Sequence, residues 1–581
     1  MSSNAYKNSV FPNTLALTSV GAGASQVGVN DSPNYLTGTN LEAVTQELVI
    51  TLLKGAVVDS VATLRTLNKN GRSQVVTLGY YAAGDQGQAI YRYDASDTSS
   101  ADNGGTVIVA ADGGRYKLVH QGSVNVRQFG AKGDGTTNDN AAIQAALSSG
   151  IPEIVIPIGG TFGVTGLSAV PSQVIRLYGK LKKLSGTSPI LILDDNTKLL
   201  GPGEIDGNSV TCDGIFAAGK TGNRIQGINI HNVGGKIIGF YSACTKYSIL
   251  ENTVTTATGQ GISVEYGGYG LIQGNYVEGV LHGIQWWGGD SAASSTIGIN
   301  SLIVSSNIVK NPTYGGIWGS LGSNISVTGN YVEGCPDVGI DFEGCVGFTC
   351  TGNTAKECGN GCYAVFFGAN GGVFSGNTAI NETSLGSGFY ATTNGTYTNR
   401  YVTITNNNFK VKAMGIYADP NGGRSLSNSV ISQNQIVSTG GYRPISIFEN
   451  VNLVIDGNHL TSVGSGVGIG LEGVSSSKVT NNWIAGFSDT SNNPAVSGGI
   501  YLYRRSNSWP SQSNIIRGNR IDSFVYSITD NPSGDVTQSK NDIEHNQVTN
   551  VYRATGGAYT GVVTNNLNIY SPTVAVSATT F

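Results

Sequence analysis

The chain has 581 residues, of which only 12% are charged, with 83 glycines and a formal net charge of −4. That balance offers no clustered basic surface for nucleic acid. No run of about 18 apolar residues is present to cross a bilayer, so neither nucleic-acid binding nor membrane insertion is expected.

The chain divides into four stretches. Residues 1–33 are polar and rich in Ser, Gly and Asn, the composition of a flexible attachment segment that orders against a partner. The opening Met1-Ser-Ser-Asn-Ala-Tyr-Lys7 lacks the apolar core of a signal peptide, so ordinary secretion is not expected. Residues 34–120 read as a small α+β head. Apolar residues at helical spacing after Asn40 predict a helix to Lys54, and a second is predicted from Val58 to Leu67. Strands follow at Ser73–Tyr80, Ala89–Tyr93, Thr106–Ala110 and Arg115–Val119, separated by Gly/Asp turns. Residues 121–566 follow a different rule, and 567–581 form a tail too short for a domain of its own.

The third stretch opens on Phe129-Gly-Ala-Lys-Gly-Asp-Gly135. Asp139 and Asn140 then stand as caps before an alanine-rich helix near 138–148, and a strand and turn follow at Ile154–Phe162. From Asn208 to Asn566 one phrase recurs, an apolar residue, two small or polar residues, then asparagine. Examples are Ile205-Asp-Gly-Asn208, Ile272-Gln-Gly-Asn275, Val327-Thr-Gly-Asn330, Phe374-Ser-Gly-Asn377, Ile455-Asp-Gly-Asn458 and Ile516-Arg-Gly-Asn519. The steps from Asn307 to Asn330, Asn353 and Asn377 are 23, 23 and 24 residues, the period of a solenoid of short strands. The fold class is therefore all-β, a parallel β-helix behind the α+β head. The opening phrases resemble those of pectate-lyase-like right-handed β-helices, and especially of bacteriophage tailspike depolymerases. Gly79-Tyr-Tyr-Ala-Ala-Gly-Asp-Gln-Gly87 and Ala110-Ala-Asp-Gly-Gly-Arg-Tyr-Lys-Leu118 are similar to the segment that precedes such a β-helix in phage tailspikes. The resemblance implies a parallel homotrimer on the virion, attached to the phage tail or baseplate through its N-terminus. It also implies action on an acidic bacterial capsular polysaccharide, read first as endo-glycoside hydrolysis, with a lyase acting on uronate-containing capsule or a non-enzymatic adhesin as the alternatives.

Cysteines number seven, five of them between Cys335 and Cys362. Cys335 and Cys358 each stand five residues after a repeat asparagine, where other coils carry Ala257, Val280 and Pro312, so they read as core residues rather than a disulfide. No zinc-type spacing occurs, and no cofactor or metal is expected.

About ten residues after each asparagine comes a Gly-Ile pair, at Ile262, Ile284, Ile317, Ile340, Ile416, Ile469 and Ile500. With each isoleucine inward, the first and third residues after it point outward. They make a stripe that includes Ser263/Glu265, Gln285/Trp287, Trp318/Ser320, Asp341/Glu343, Tyr417/Asp419, Gly470/Glu472 and Tyr501/Tyr503. Aromatics cover sugar faces and carboxylates bind hydroxyls or transfer protons, as a glycan groove requires; a trimer interface is the competing use of the aromatics. Asp341 and Glu343 are the leading catalytic candidates, two apart on one strand with roots about 6.5–7 Å apart. Both the retaining and the inverting separations are within their reach. Asp290, at the start of a loop made by the 32-residue step from Asn275 to Asn307, is the third. Glu265, His282, Gln285, Trp286, Trp287, Trp318, Tyr417, Asp419 and Glu472 are the candidate substrate-binding residues. Alternation turns Trp286 inward, but Gly288-Gly289 leaves its register open. A second long loop carries Tyr501, Tyr503, Arg504, Arg505 and Trp509, a set suited to an acidic capsule or to a trimer contact.

Overall fold

The computed structural model describes Thr45 and residues 57–569, apart from 69–71, 422–423, 465, 488–497, 506–509, 525, 532–540, 550–552, 557–561 and 565–566. The sequence-predicted attachment segment, all of the Asn40–Lys54 helix but Thr45, Trp509 and the end of the tail lie outside the described residues. The chain forms two compact units, one up to Phe162 and one from Gly163 onward.

In the first unit a five-stranded sheet runs in the order Val57–Val58, Gln74–Thr77, Ala89–Tyr93, Arg115–Leu118, Val107–Val109. A short helix, Val61–Arg65, is capped by Ser60, whose Oγ accepts the Thr63 N–H at 3.2 Å. Val61, Leu64, Val75, Tyr91, Ile108 and Tyr116 are buried together as its core. The alanine-rich helix spans Asn140–Leu147. Asp139 stands at its N-cap, but its carboxylate accepts the backbone N–H groups of Lys132 and Gly133, at 2.7 and 3.0 Å, and so ties down the Gly-Asp-Gly phrase instead of capping the helix.

The second unit is a right-handed parallel β-solenoid of about 16 turns. Each full coil gives one strand to each of three faces. The first face is a 16-stranded parallel sheet among the described residues, from Leu167–Ser168 to Arg553–Gly556. It contains Ile262–Glu265, Ile284–Trp287, Ile317–Ser320 and Val338–Glu343 as successive rungs. Its inward row runs Ile238, Ile262, Ile284, Ile317, Ile340, Tyr363, Phe389, Ile416, Ile445, Ile469, Ile500. All the Gly-Ile pairs therefore align. The pattern passes over four of these coils, where Ile238, Tyr363, Phe389 and Ile445 take the inward position without a Gly-Ile pair.

The asparagines from Asn252 to Asn546 form a buried ladder at the corner before the third face. Asn330 shows the rule. Its Oδ1 accepts the backbone N–H and Nδ2 of Asn307, at 2.9 and 3.0 Å, and its own Nδ2 donates to Val304 O at 2.9 Å and to Asn353 Oδ1 at 3.0 Å. A side-chain amide repeated every coil thus satisfies backbone groups that a tight corner strips of their sheet partners. Asn208 is the exception. It is exposed with φ of 51°, because Ile205 belongs to the third face whereas Ile272 and its like belong to the second. Asn330→Ala is expected to cost about 3 kcal/mol by leaving buried donors and an acceptor unmatched, measurable as a fall in the unfolding midpoint. All seven cysteines are buried and free, as core residues of the coils. Among the described residues no helix is long and apolar enough to cross a membrane.

Candidate functional site

On the first face the outward positions stack as the strand alternation requires. One row runs Ser263, Gln285, Trp318, Asp341, Ala364, Tyr390, Tyr417. The row beside it runs Glu265, Trp287, Ser320, Glu343, Phe366, Thr392. Rungs are about 4.8 Å apart, so Trp318 and Ser320 adjoin the two carboxylates directly.

The first row has an unusual property. Ser263 Oγ, Gln285 Oε1, Trp318 Nε1 and Asp341 Oδ1, on four successive rungs, are buried with no hydrogen-bond partner in the described protein. A native fold leaves few buried polar atoms unmatched, each at a cost of about 1–3 kcal/mol. Four in a line make a row of donors and acceptors suited to the hydroxyls of an extended ligand.

Asp341 is 4% exposed and Glu343 partly buried. Burial, then the charge of Glu343 and that of Asp337, push the Asp341 carboxyl well above the usual carboxylate range. Burial likewise raises Glu343, to about 7, against a lowering pull from the Ser291 hydroxyl, which donates to Glu343 Oε2 at 2.9 Å. Neither carboxyl has an ion-pair partner among the described residues. The pair can therefore hold and move a proton near neutral pH, the property expected of acid and base groups.

Around the pair, Trp287 and Trp318 meet edge to face with ring centroids 6.0 Å apart. The His282 ring lies 5.1 Å from that of Trp318 and 5.6 Å from that of Tyr314. Its Nδ1 accepts the Gly315 N–H at 3.2 Å, and burial lowers its pKa, so it is a neutral support for Trp318. Asp290 is exposed and its carboxylate accepts the Ala292 N–H at 3.0 Å, the work of a turn residue. Glu265 is engaged by Lys236. On the other side of the pair, Tyr417 stacks on Tyr390 with centroids 5.6 Å apart and 11° between planes, and Tyr390 donates its hydroxyl to Asp419 at 2.9 Å. Glu472 pairs with Arg443 at 2.5 Å, farther along the same face.

Trp286 is corrected. It is wholly buried, packed 5.4 Å from the Phe342 ring, because it occupies the inward position between Gln285 and Trp287 and the Gly288-Gly289 bend begins only after it. It cannot touch a ligand on this face. Trp286→Ala is expected to destabilise the solenoid by about 3–5 kcal/mol, while Trp318→Ala weakens glycan binding with a smaller change in unfolding temperature; thermal melts and glycan titrations separate the two. Tyr390 and Ser291 are the residues that the sequence reading missed. Tyr390 follows Gly388-Phe389, a variant of the Gly-Ile signal, and Ser291 lies in a loop with no periodic signal.

Glu204, Asp206 and His231 place ligand atoms within 4.8 Å of one another on the third face, a grouping able to hold a metal ion. Lys180 Nζ already sits 2.8 Å from both Glu204 and Asp206 and supplies the positive charge there.

Four sequence-family models match the chain. Residues 57–121 match the phage tail protein small four-stranded β-sheet domain, and residues 123–182 match the rhamnogalacturonase A/epimerase, pectate-lyase-like family. Residues 387–570 match the right-handed β-helix region, and residues 282–450 match the periplasmic copper-binding protein NosD. Among solved structures, the chain is similar to a tailspike protein of Acinetobacter baumannii bacteriophage Fri1 described as a capsular polysaccharide depolymerase. Identity is 13%, over 69% of this chain and 74% of that one, with a TM-score of 0.44. A tailspike mutant of E. coli bacteriophage HK620 in complex with a pentasaccharide is 12% identical over 84% of each chain, with a TM-score of 0.48. The full-length tailspike protein 2 of Escherichia coli O157:H7 bacteriophage CAB120 is 17% identical over 83% of this chain, with a TM-score of 0.33, and this chain spans 55% of its length.

Proposed function

Taking the chain as a member of the phage-tail group of pectate-lyase-like right-handed β-helix proteins, we propose that it is a tailspike that binds and cleaves bacterial capsular polysaccharide by endo-glycoside hydrolysis. The observation that carries this reading is the carboxyl pair at the end of the row of unpartnered polar atoms, flanked by Trp287 and Trp318. A glycan lying along the solenoid axis meets Gln285 and Trp318 in turn, and its scissile bond lies at the pair.

Asp341, the more deeply buried group, holds the shared proton and gives it to the leaving glycosidic oxygen, since a neutral acid is what burial beside a second carboxylate favours. Glu343, whose anionic form the Ser291 hydroxyl favours, serves as the base or nucleophile on the other side of the bond. A lyase that neutralises a uronate carboxylate with a cation would need one at the pair, and neither carboxyl here has a cationic neighbour paired to it among the described residues. The stacked Tyr390 and Tyr417 continue the groove beyond the pair. Arg443 and Arg505 lie farther along it, next to the Tyr501 and Phe448 rings and paired with Glu472 and Glu449. The protein acts as a homotrimer held on the virion through its N-terminal stretch, and meets its substrate at the host surface.

The test is to incubate the protein with purified capsular polysaccharides and follow both chain length and absorbance in the unsaturated-uronate band. Shortening without new absorbance is the expected result. Shortening with absorbance means β-elimination, and binding without shortening means an adhesin; either outcome overturns the hydrolase reading.

A further inference from the structure

The loop that opens at Asp290 does more than bridge two coils. It rises from the Trp287 rung, and Ser291 reaches the Glu343 rung two coils on. Four contacts fix its path. Ser320, on the rung between, donates its hydroxyl to Gly289 O at 2.6 Å. Ala293 and Ser294 return their N–H groups to Asp290 O at 3.2 and 2.9 Å, closing a turn. Asn394, from a later loop, donates its side-chain amide to Ala292 O at 3.0 Å. Ser291 itself is 1% exposed and sits against Gly344, where an added Cβ would lie 3.3 Å from Ser291 Cβ, with φ of 57°. Only glycine meets both demands at that place, so the turn after Glu343 is shaped to admit the loop.

We infer that Ser291 is a positioning residue for Glu343, a loop hydroxyl that binds Oε2, fixes the carboxylate rotamer and leaves Oε1 as the reacting oxygen. A hydroxyl that donates to a carboxylate favours its anionic form. Burial opposes that form most, followed by the charges of Asp337 before the strand and Asp290 on the loop; Asp341 on the same strand and the Cys345 thiol after the turn are themselves pushed up by burial and by the Glu343 charge. Ser291 is the neutral donor set against all of them. Its catalytic meaning rests on the hydrolase reading above, but its effect on Glu343 does not.

The experiment uses the full chain and two readouts. One is the pH dependence of the unfolding temperature between pH 5 and 9, with no substrate present. The other is the pH profile of capsule shortening. In the native protein, stability falls with rising pH, and the part of that fall due to Glu343, read as the difference from Glu343→Gln, levels off once the group is ionised, near 7, while Asp341, raised as well, prolongs the rest. In Ser291→Ala that levelling-off moves up by about one pH unit, the size expected for losing one hydrogen bond to a charged group. The acid limb of the cleavage profile moves up with it. Ser291→Thr, which keeps the hydroxyl, restores both, and Ser294→Ala in the same loop moves neither. An unchanged levelling-off point in Ser291→Ala, with Glu343→Gln removing that feature as expected, overturns the inference. A shifted levelling-off point with no capsule shortened by any form leaves the positioning role standing and overturns the hydrolase reading instead.

Discussion

Asp341→Asn and Glu343→Gln are each expected to lower capsule depolymerisation by about 10²- to 10⁴-fold, the range over which a positioned acid or base accelerates such a step. Glycan binding should survive both changes. The amides keep the shape of the acids, and the polar row at Ser263, Gln285 and Trp318 is untouched. The expected signature is thus a loss in kcat with little change in the affinity measured by titration of oligosaccharide onto the inactive protein. The double variant should be little worse than the weaker single one, because the two carboxyls act on one bond. Cleavage at the native rate by either single variant would remove the pair from the chemistry. A comparable loss in Asp290→Asn would move the site to the loop, where that carboxylate now closes a turn at Ala292.

The solenoid was legible because its period is enforced by hydrogen bonds that only one side chain can make. An asparagine at Asn307, Asn330 or Asn353 must both accept from the coil behind and donate to the coil ahead. Asn208 imitated the phrase from another face, where no such demand exists. The Gly-Ile signal has an equally physical cause. At Gly339 a Cβ would lie 2.6 Å from Cys362 O and 2.8 Å from Cys358 Sγ, so the corner before the strand excludes larger residues. Where the isoleucine gives way to Tyr363 or Phe389 the signal fades, and Tyr390 faded with it. The outward register of Asp341 and Glu343 followed from alternation alone. What surrounds them did not, because Ser291 is 52 residues from Glu343 and reaches it through a loop that no periodicity governs. Trp286 beside Trp287 shows the opposite failure. Alternation separated the two correctly, and only the Gly288-Gly289 bend, which begins after both, left the register open.

Glu343→Gln should also make the protein more stable, and only above acid pH. In the unfolded chain Glu343 ionises near its ordinary value of 4.5, whereas in the folded chain its carboxyl is pushed up to about 7. Between those values the native state holds the proton that the unfolded state has released. This group's contribution to stability therefore falls as pH rises through that window and is gone above it. The difference corresponds to about 3 kcal/mol at pH 8, which glutamine, neutral in both states, does not lose. At pH 4 the wild type and the variant should melt together; at pH 8 the variant should melt higher, by several degrees. Asp341→Asn should behave in the same way, since burial and the neighbouring carboxylate raise that group too, but the two gains should not add. With either charge removed, the repulsion that raises the other is gone, so the double variant gains less than the sum. A carboxyl pair kept at a cost to folding is what a site selected for chemistry would show. Equal melting temperatures at pH 8 would mean that the pair is solvated and relaxed, and would remove the electrostatic basis for assigning proton transfer to it.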